Sequence, residues 1–250
     1  MNEISLKKDK EIAIMRAGGK ITARVLNKLK KEIKPGITTS KLDQIAEKLI
    51  AKSGAKPAFK GFYGYPASTC ISVNDELVHT IPTAKKIQEG DIVGLDLGIF
   101  YQGYYTDAAI TVGVGKISPK AKKLIQVTKE SLEGAIQAVK EDIYLGDIQA
   151  LIQEKIERAG FGVIRDLSGH GVGKNLQEEP SIPNFGKRGT GPILKEGMTL
   201  AIEPMVSAGD WHIKVLDDGW TVKTADGSLS AHFEHTIVVT KDGAEILTQE

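Results

Sequence analysis

One cysteine, nine prolines, 6% aromatic residues and no long apolar run define what this chain of 250 residues is not. A lone cysteine, Cys70, excludes an internal disulfide and a thiolate-based zinc site, so any metal must be held by His, Asp and Glu. Five histidines and 32 acids remain for that task. No apolar run nears the ~18 to 20 residues of a membrane span, and the start MNEISLKKDKEIAI has no stretch suited to a secretory signal. A cytoplasmic protein without membrane association is expected. The hydrophobic content of 41% excludes a disordered tail, and the length suffices for one large or two small cores.

The net charge of +1 hides an uneven distribution: residues 1–60 carry 15 Lys and Arg against 6 Asp and Glu, leaving 18 against 26 for the rest. The first segment is thus +9 and the remainder −8. Lysine-rich solvated helix faces are the simplest explanation, and distinct partners for the two ends are the other.

Helical spacing of Ile12, Met15, Ala23, Leu26 and Leu29 predicts a helix over 9–31, stopped by Pro35-Gly36. A second helix is expected from Ser40, as N-cap, to a terminating Gly54. Residues 57–68, PAFKGFYGYPAS, have loop composition with unusual apolar surface, which reads as a pocket wall. A short strand at Cys70–Val73 precedes two strand-like runs, Asp91–Ile99 and Tyr104–Val114, close enough to form a hairpin. Helices over 118–140 and 147–159 follow. The last third alternates strand and turn, with runs at Thr199–Ser207, Ile213–Val215, Thr221–Lys223 and Ala231–Thr240.

An internal repeat runs through this order. Glu89 to Asp96 matches Glu196 to Glu203, each an E-G start, an apolar strand and an acid seven residues on. Asp107 with Ile110 and Val112 matches Glu234 with Ile237 and Val239, and Leu42 to Gly54 matches Ile148 to Gly160. The expectation is a duplicated α+β unit, a single domain over 1–250 with halves of about 9–114 and 118–240 that share one sheet.

Acids in these strands carry the chemistry. Asp is depleted from strands, and a carboxylate in an apolar run is costly unless paired or metal-bound. If the hairpin turns at Tyr101-Gln102, Asp96 faces Asp107 directly; a slipped turn makes them diagonal neighbours on the same face. Asp96, Asp107, Glu203 and Glu234, at repeat-related positions, point to a metal site. His170 in Ser-Gly-His-Gly-Val-Gly adds an imidazole, and the set suits Mn, Fe(II), Co or Zn. A phosphate-cradling loop competes for those glycines, but the Lys-Ser/Thr of a P-loop is missing. His79, in Leu-Val-His-Thr-Ile-Pro, is by itself compatible with a packed strand residue.

These residues, in this order, resemble the type I methionine aminopeptidases over essentially the whole chain. Asp96 in V-G-L-D-L-G, Asp107 in Y-T-D-A-A, His170 in S-G-H-G-V-G, Glu203 in I-E-P-M and Glu234 in F-E-H-T-I match the family's five metal ligands. The resemblance implies the pita-bread fold with pseudo-twofold symmetry. It also implies two divalent ions: Asp107 and Glu234 would bridge them, Asp96 would complete one, and His170 and Glu203 the other. Two cations sharing a water acidify it and polarise a carbonyl. By the same resemblance Glu203 shuttles the proton and His79 contacts the scissile amide. The methionine pocket would draw on Phe59, Phe62, Tyr65, Cys70, Leu176 and Trp220, a dry slot for a thioether. The implied substrate is the N-terminal Met of peptides and nascent chains with a small second residue, processed by a monomer.

One departure stands out. The family carries a second catalytic histidine in H-G-x-G-x-x-x-H-E-E-P, where this chain has Gln177. Glutamine donates a neutral hydrogen bond but carries no proton. Where the family has Gln, two residues before the last ligand, this chain has His232, and the period of a strand predicts that His232 points with Glu234. We therefore expect His232 to replace part of the missing imidazole. An Xaa-Pro metallopeptidase of the same fold and a catalytically weakened binding protein are the alternatives. Ribosomal RNA contact is the expectation for the basic residues 7–60.

Overall fold

The computed structural model describes residues 4–250, and each half begins with two helices whose apolar stripes face strands. In the first half α1 (Asp9–Glu32) and α2 (Thr39–Lys52) precede β1 (Lys56–Pro57), β2 (Cys70–Val73), β3 (Glu76–Val78), β4 (Ile92–Tyr101) and β5 (Tyr104–Gly113). Then come α3 (Pro119–Ala138), α4 (Leu145–Arg158), β6 (Gly162–Val163), β7 (Ser168–Gly171), β8 (Glu178–Pro183), β9 (Thr199–Ile202) and β10 (Met205–Ser207). The chain closes with β11 (Ile213–Val215), β12 (Val222–Thr224), β13 (Ser230–His232), β14 (Glu234–Thr240) and β15 (Gly243–Ile246). Helix α2 starts earlier than expected. Thr38, not Ser40, is its N-cap and accepts a bond from the Lys41 amide at 3.2 Å.

Strands of both halves share a nine-stranded sheet ordered β1-β4-β5-β14-β9-β7-β8, with β2 on β4 and β15 on β14. Period-two alternation sorts the faces: Val93, Leu95, Leu97 and Ile99 of β4 pack with Leu26, Leu29, Leu42 and Ile50 of α1 and α2. Leu200, Ile202, Ile237 and Val239 do the same with Leu124, Leu132, Ile148 and Ile152 of α3 and α4. Asp96 and Glu234, at intervening positions, face the other way. Burying such aliphatic side chains stabilises the fold by roughly 1.5–3 kcal/mol each.

The hairpin turns one residue later than the expected Tyr101-Gln102. Gln102 and Gly103 both have positive φ (47° and 91°), a two-residue turn of the primed kind, so Tyr101 pairs with Tyr104. Asp96 therefore lies opposite Ala109 and Asp107 opposite Gly98, which makes the two acids diagonal neighbours on one face.

Two expected strands are broken. The run Thr199–Ser207 divides at Glu203-Pro204 into β9 of the large sheet and β10 of a small sheet ordered β13-β10-β6. Proline cannot donate to a ladder, and Asn184 Nδ2 donates to the freed Glu203 carbonyl at 2.9 Å. The run Ala231–Thr240 divides at Phe233, so His232 and Glu234 sit on different sheets. His170, in its glycine-rich context, lies on β7, against the competing reading of a phosphate-cradling loop. A Cβ at Gly171 would fall 2.2 Å from the Glu179 carbonyl oxygen, so that glycine serves strand packing, not a phosphate.

Candidate metal and peptide site

Sheet register assembles the carboxylates in rows. Cys70, Asp96, Ala109 and Glu234 form one row across β2, β4, β5 and β14, and the small Ala109 leaves space between the two acids. Asp107 projects two residues from Ala109 on the same face. The β5–β14 ladder holds the Ala109–Glu234 and Ala108–His235 pairs, and threonine hydroxyls bridge the backbones on either side, Thr236 to Asp107 of β5 and Thr111 to His232 of β13. Thr236 Oγ1 accepts from the Asp107 amide (2.9 Å) and donates to its carbonyl (2.8 Å). On the other side Thr111 Oγ1 accepts from the His232 amide (2.9 Å) and donates to its carbonyl (2.8 Å).

The side chains converge. Asp107, His170 and Glu234 offer ligand atoms within 4.8 Å of one another, as do Glu203, His232 and Glu234. His170 Nδ1 donates to the Gly171 carbonyl at 2.9 Å, which leaves Nε2 free, 3.7 Å from Glu203 Oε1. His232 Nε2 lies 3.3 Å from Glu203 Oε2. The two oxygens of Glu203 are thus bracketed by two imidazoles.

These residues fit divalent cations on three counts. Asp96 Oδ1, Asp107 Oδ1, Glu234 Oε1 and His232 Nε2 are buried without a hydrogen-bond partner, an arrangement proteins avoid unless another ligand satisfies it. Burial, then the charges of neighbouring acids, holds the Asp96, Asp107 and Glu234 carboxyls well above the usual carboxylate range. The donor set, oxygen-rich with imidazole, suits the metals named above.

The acids line a cavity of about 210 Å³. Phe59, Phe62, Tyr65, Cys70, Leu176 and Trp220, all six expected pocket residues, complete the lining with His79 and Gln177. Tyr65 is fixed edge-on to Phe59 and Trp220 (centroids 6.5 and 5.1 Å apart), and its hydroxyl lies 3.0 Å from the Thr69 and Thr80 carbonyls. Gly98 makes room for this lining, since a Cβ there would fall 2.9 Å from Phe59. His79 has a left-handed backbone (φ 57°); its side chain keeps solvent exposure at the cavity lining, while desolvation by the surrounding protein lowers its pKa, with the Glu203 charge opposing. His232 is enclosed behind Glu203 and is not among the lining side chains.

Three contributors escaped the sequence reading. Tyr63 also lines the cavity, is 86% exposed and has φ 46°; it sits inside the aromatic segment, where its neighbours drew attention first. Thr111 and Asn184 have no signature in one sequence. A wider groove of about 590 Å³, lined by Ser168, Lys174, Asn175 and Glu179 among others, adjoins the cavity at His170 and Gln177. Lys7, counted in the basic segment, is instead buried and paired with Glu178 at 2.5 Å.

Comparison with known proteins agrees with this geometry. Residues 13–241 match the model of metallopeptidase family M24, and the chain belongs to that family, with its pita-bread fold. Within the family it is 52% identical to a methionine aminopeptidase of Clostridium perfringens, over 98% of both chains. A crystal structure of methionine aminopeptidase from Thermotoga maritima superposes with a TM-score of 0.98 at 51% identity, covering 99% of this chain and 100% of that one. A prolidase of Pyrococcus horikoshii is more distant, with a TM-score of 0.79 at 27% identity, and this chain spans only 64% of it. Among the described residues no helix is long and apolar enough to cross a membrane.

Proposed function

We propose that the chain is an aminopeptidase that removes N-terminal methionine from peptides and nascent proteins whose second residue is small. The observation that carries this reading is one cavity lined both by aromatic and apolar side chains and by the carboxylate set. Its volume, below the ~300 Å³ of drug-sized sites, suits one unbranched side chain. Asp96, Asp107, His170, Glu203 and Glu234 would hold two divalent ions, of Co, Mn, Fe(II) or Zn, which lower the pKa of water and polarise a carbonyl.

The chain's own residues then have distinct tasks. Glu203 takes the proton from the attacking water and returns it to the leaving amine. His79, on the cavity lining, donates to the scissile amide. Gln177 donates a neutral hydrogen bond to the developing oxyanion. His232 works from behind Glu203. Residues beyond the second run into the groove past Lys174 and Asn175. Residues 1–250 act as one monomeric cytoplasmic unit, with halves of about 9–114 and 118–240. The basic residues 7–60 meet ribosomal RNA through Lys20, Arg24, Lys28 and Lys52, which line an open groove between α1 and α2. Cosedimentation with ribosomes should weaken as salt rises, and its absence at low salt removes that contact.

Metal analysis combined with hydrolysis of Met-Ala-Ser tests the activity. Two bound ions and released Met are expected, whereas a folded, metal-loaded protein that releases none would be a binder. For the exchanged residues, Gln177→His, His232→Gln and the double variant should give non-additive changes in kcat/KM; strict additivity would uncouple them.

A further inference from the structure

We propose that His232 is a metal-ligating residue of this centre, a second imidazole beside His170, and that Thr111 positions it. The inference deepens the two-ion reading above and rests on it.

Three observations converge on His232. It is 3% exposed, its Nε2 has no hydrogen-bond partner, and that atom lies within 4.8 Å of ligand atoms of Glu203 and Glu234. A buried, unpartnered imidazole nitrogen aimed at two carboxylates is a costly arrangement that a cation there would satisfy. The separation from Glu203 Oε2, 3.3 Å, is what two ligands of one ion show.

The backbone is built to hold it. His232 ends β13, paired with Met205 of β10, immediately before the break at Phe233. Thr111 Oγ1 serves both its amide and its carbonyl, at 2.9 and 2.8 Å, and so fixes the direction of its Cα–Cβ bond toward Glu203. A nitrogen donor added to carboxylates raises affinity for cobalt or zinc more than for manganese. The exchange of Gln and His between positions 177 and 232 thereby removes an imidazole from the cavity lining and adds one to the metal set behind Glu203.

Proton NMR of the full chain loaded with two equivalents of cobalt(II) tests this directly. Each ligating imidazole contributes one exchangeable, strongly shifted N–H resonance. Two such resonances are expected in the native protein, one in His232→Gln, and a displaced second one in Thr111→Val that Thr111→Ser restores. Titration calorimetry should show one cobalt ion bound about tenfold more weakly in His232→Gln, with manganese affected less. One resonance in the native protein that survives His232→Gln, with unchanged cobalt affinity, overturns the proposal. A native chain that binds no cobalt overturns the two-ion reading instead. Thermal unfolding without metal checks that each variant is folded.

Discussion

The two halves deliver their acids in opposite ways. In the first, Asp96 and Asp107 sit inside uninterrupted ten-residue strands, β4 and β5, fully paired by the hairpin. In the second, Glu203 and Glu234 stand at strand breaks, one just after β9 and one at the start of β14. An unbroken ladder holds a side chain rigidly but fixes which residues share its face. A break lets the chain change sheets, and this brings His232 from the small sheet to residues of the large one. The first half acts as frame, and the second adds donors that strand periodicity alone would not bring together.

The largest expected effect tests the frame. Asp96→Asn should lower kcat/KM by about a thousandfold with loss of bound metal, measured by Met release and metal content. The same substitution should raise the melting temperature of the metal-free protein, since it removes one of several mutually repelling buried charges. A lower melting temperature would mean that Asp96 is neutralised by something other than metal.

Protonation probes both halves at once. The carboxyls of Asp96, Asp107 and Glu234 titrate above their unfolded values, so the metal-free folded state binds more protons than the unfolded one. Its stability should fall as pH rises from about 4, the unfolded carboxylate value, toward the raised folded values. Metal binding should release protons, detectable by calorimetry in buffers of different ionisation enthalpy. Proton release absent near pH 6 would contradict the shared burial of the set.

The breaks are sharpened by Asn184→Leu, which strips the Glu203 carbonyl of its buried partner. A loss of about 1–3 kcal/mol in urea unfolding is expected, with kcat falling more than KM changes. Smallest is Gly103→Ala in the hairpin turn, at φ 91° and with open space around it. It should cost about 1 kcal/mol and leave kcat/KM within about twofold, because the ladder, not the turn residue, holds the acids.

Much of the frame was legible because it is local. Ile12, Met15, Leu26 and Leu29 set the period of α1, and the apolar run around Asp96 marked it as a carboxylate that needs a partner or a metal. The expected direct Asp96–Asp107 pairing was wrong and the diagonal placement was legible only as its alternative, because the register depends on which two residues take positive φ, and Tyr101-Gln102 and Gln102-Gly103 are adjacent choices. The breaks at Pro204 and Phe233 were hidden by apolar runs that read as continuous strands. The family resemblance supplied the ligand order and pocket residues, but Tyr63 and Thr111 became visible only with neighbours in place.

By itself the sequence determined the helices, the hairpin, the repeat-related acids and the chemistry those acids suit, since each rests on spacing along the chain. Tertiary structure decided the rest: which acids are neighbours, that Lys7 is a buried partner of Glu178, and that His232 stands behind Glu203. Those facts depend on contacts between residues far apart in sequence, such as Thr111 with His232, and only the packed sheets bring them within bonding distance.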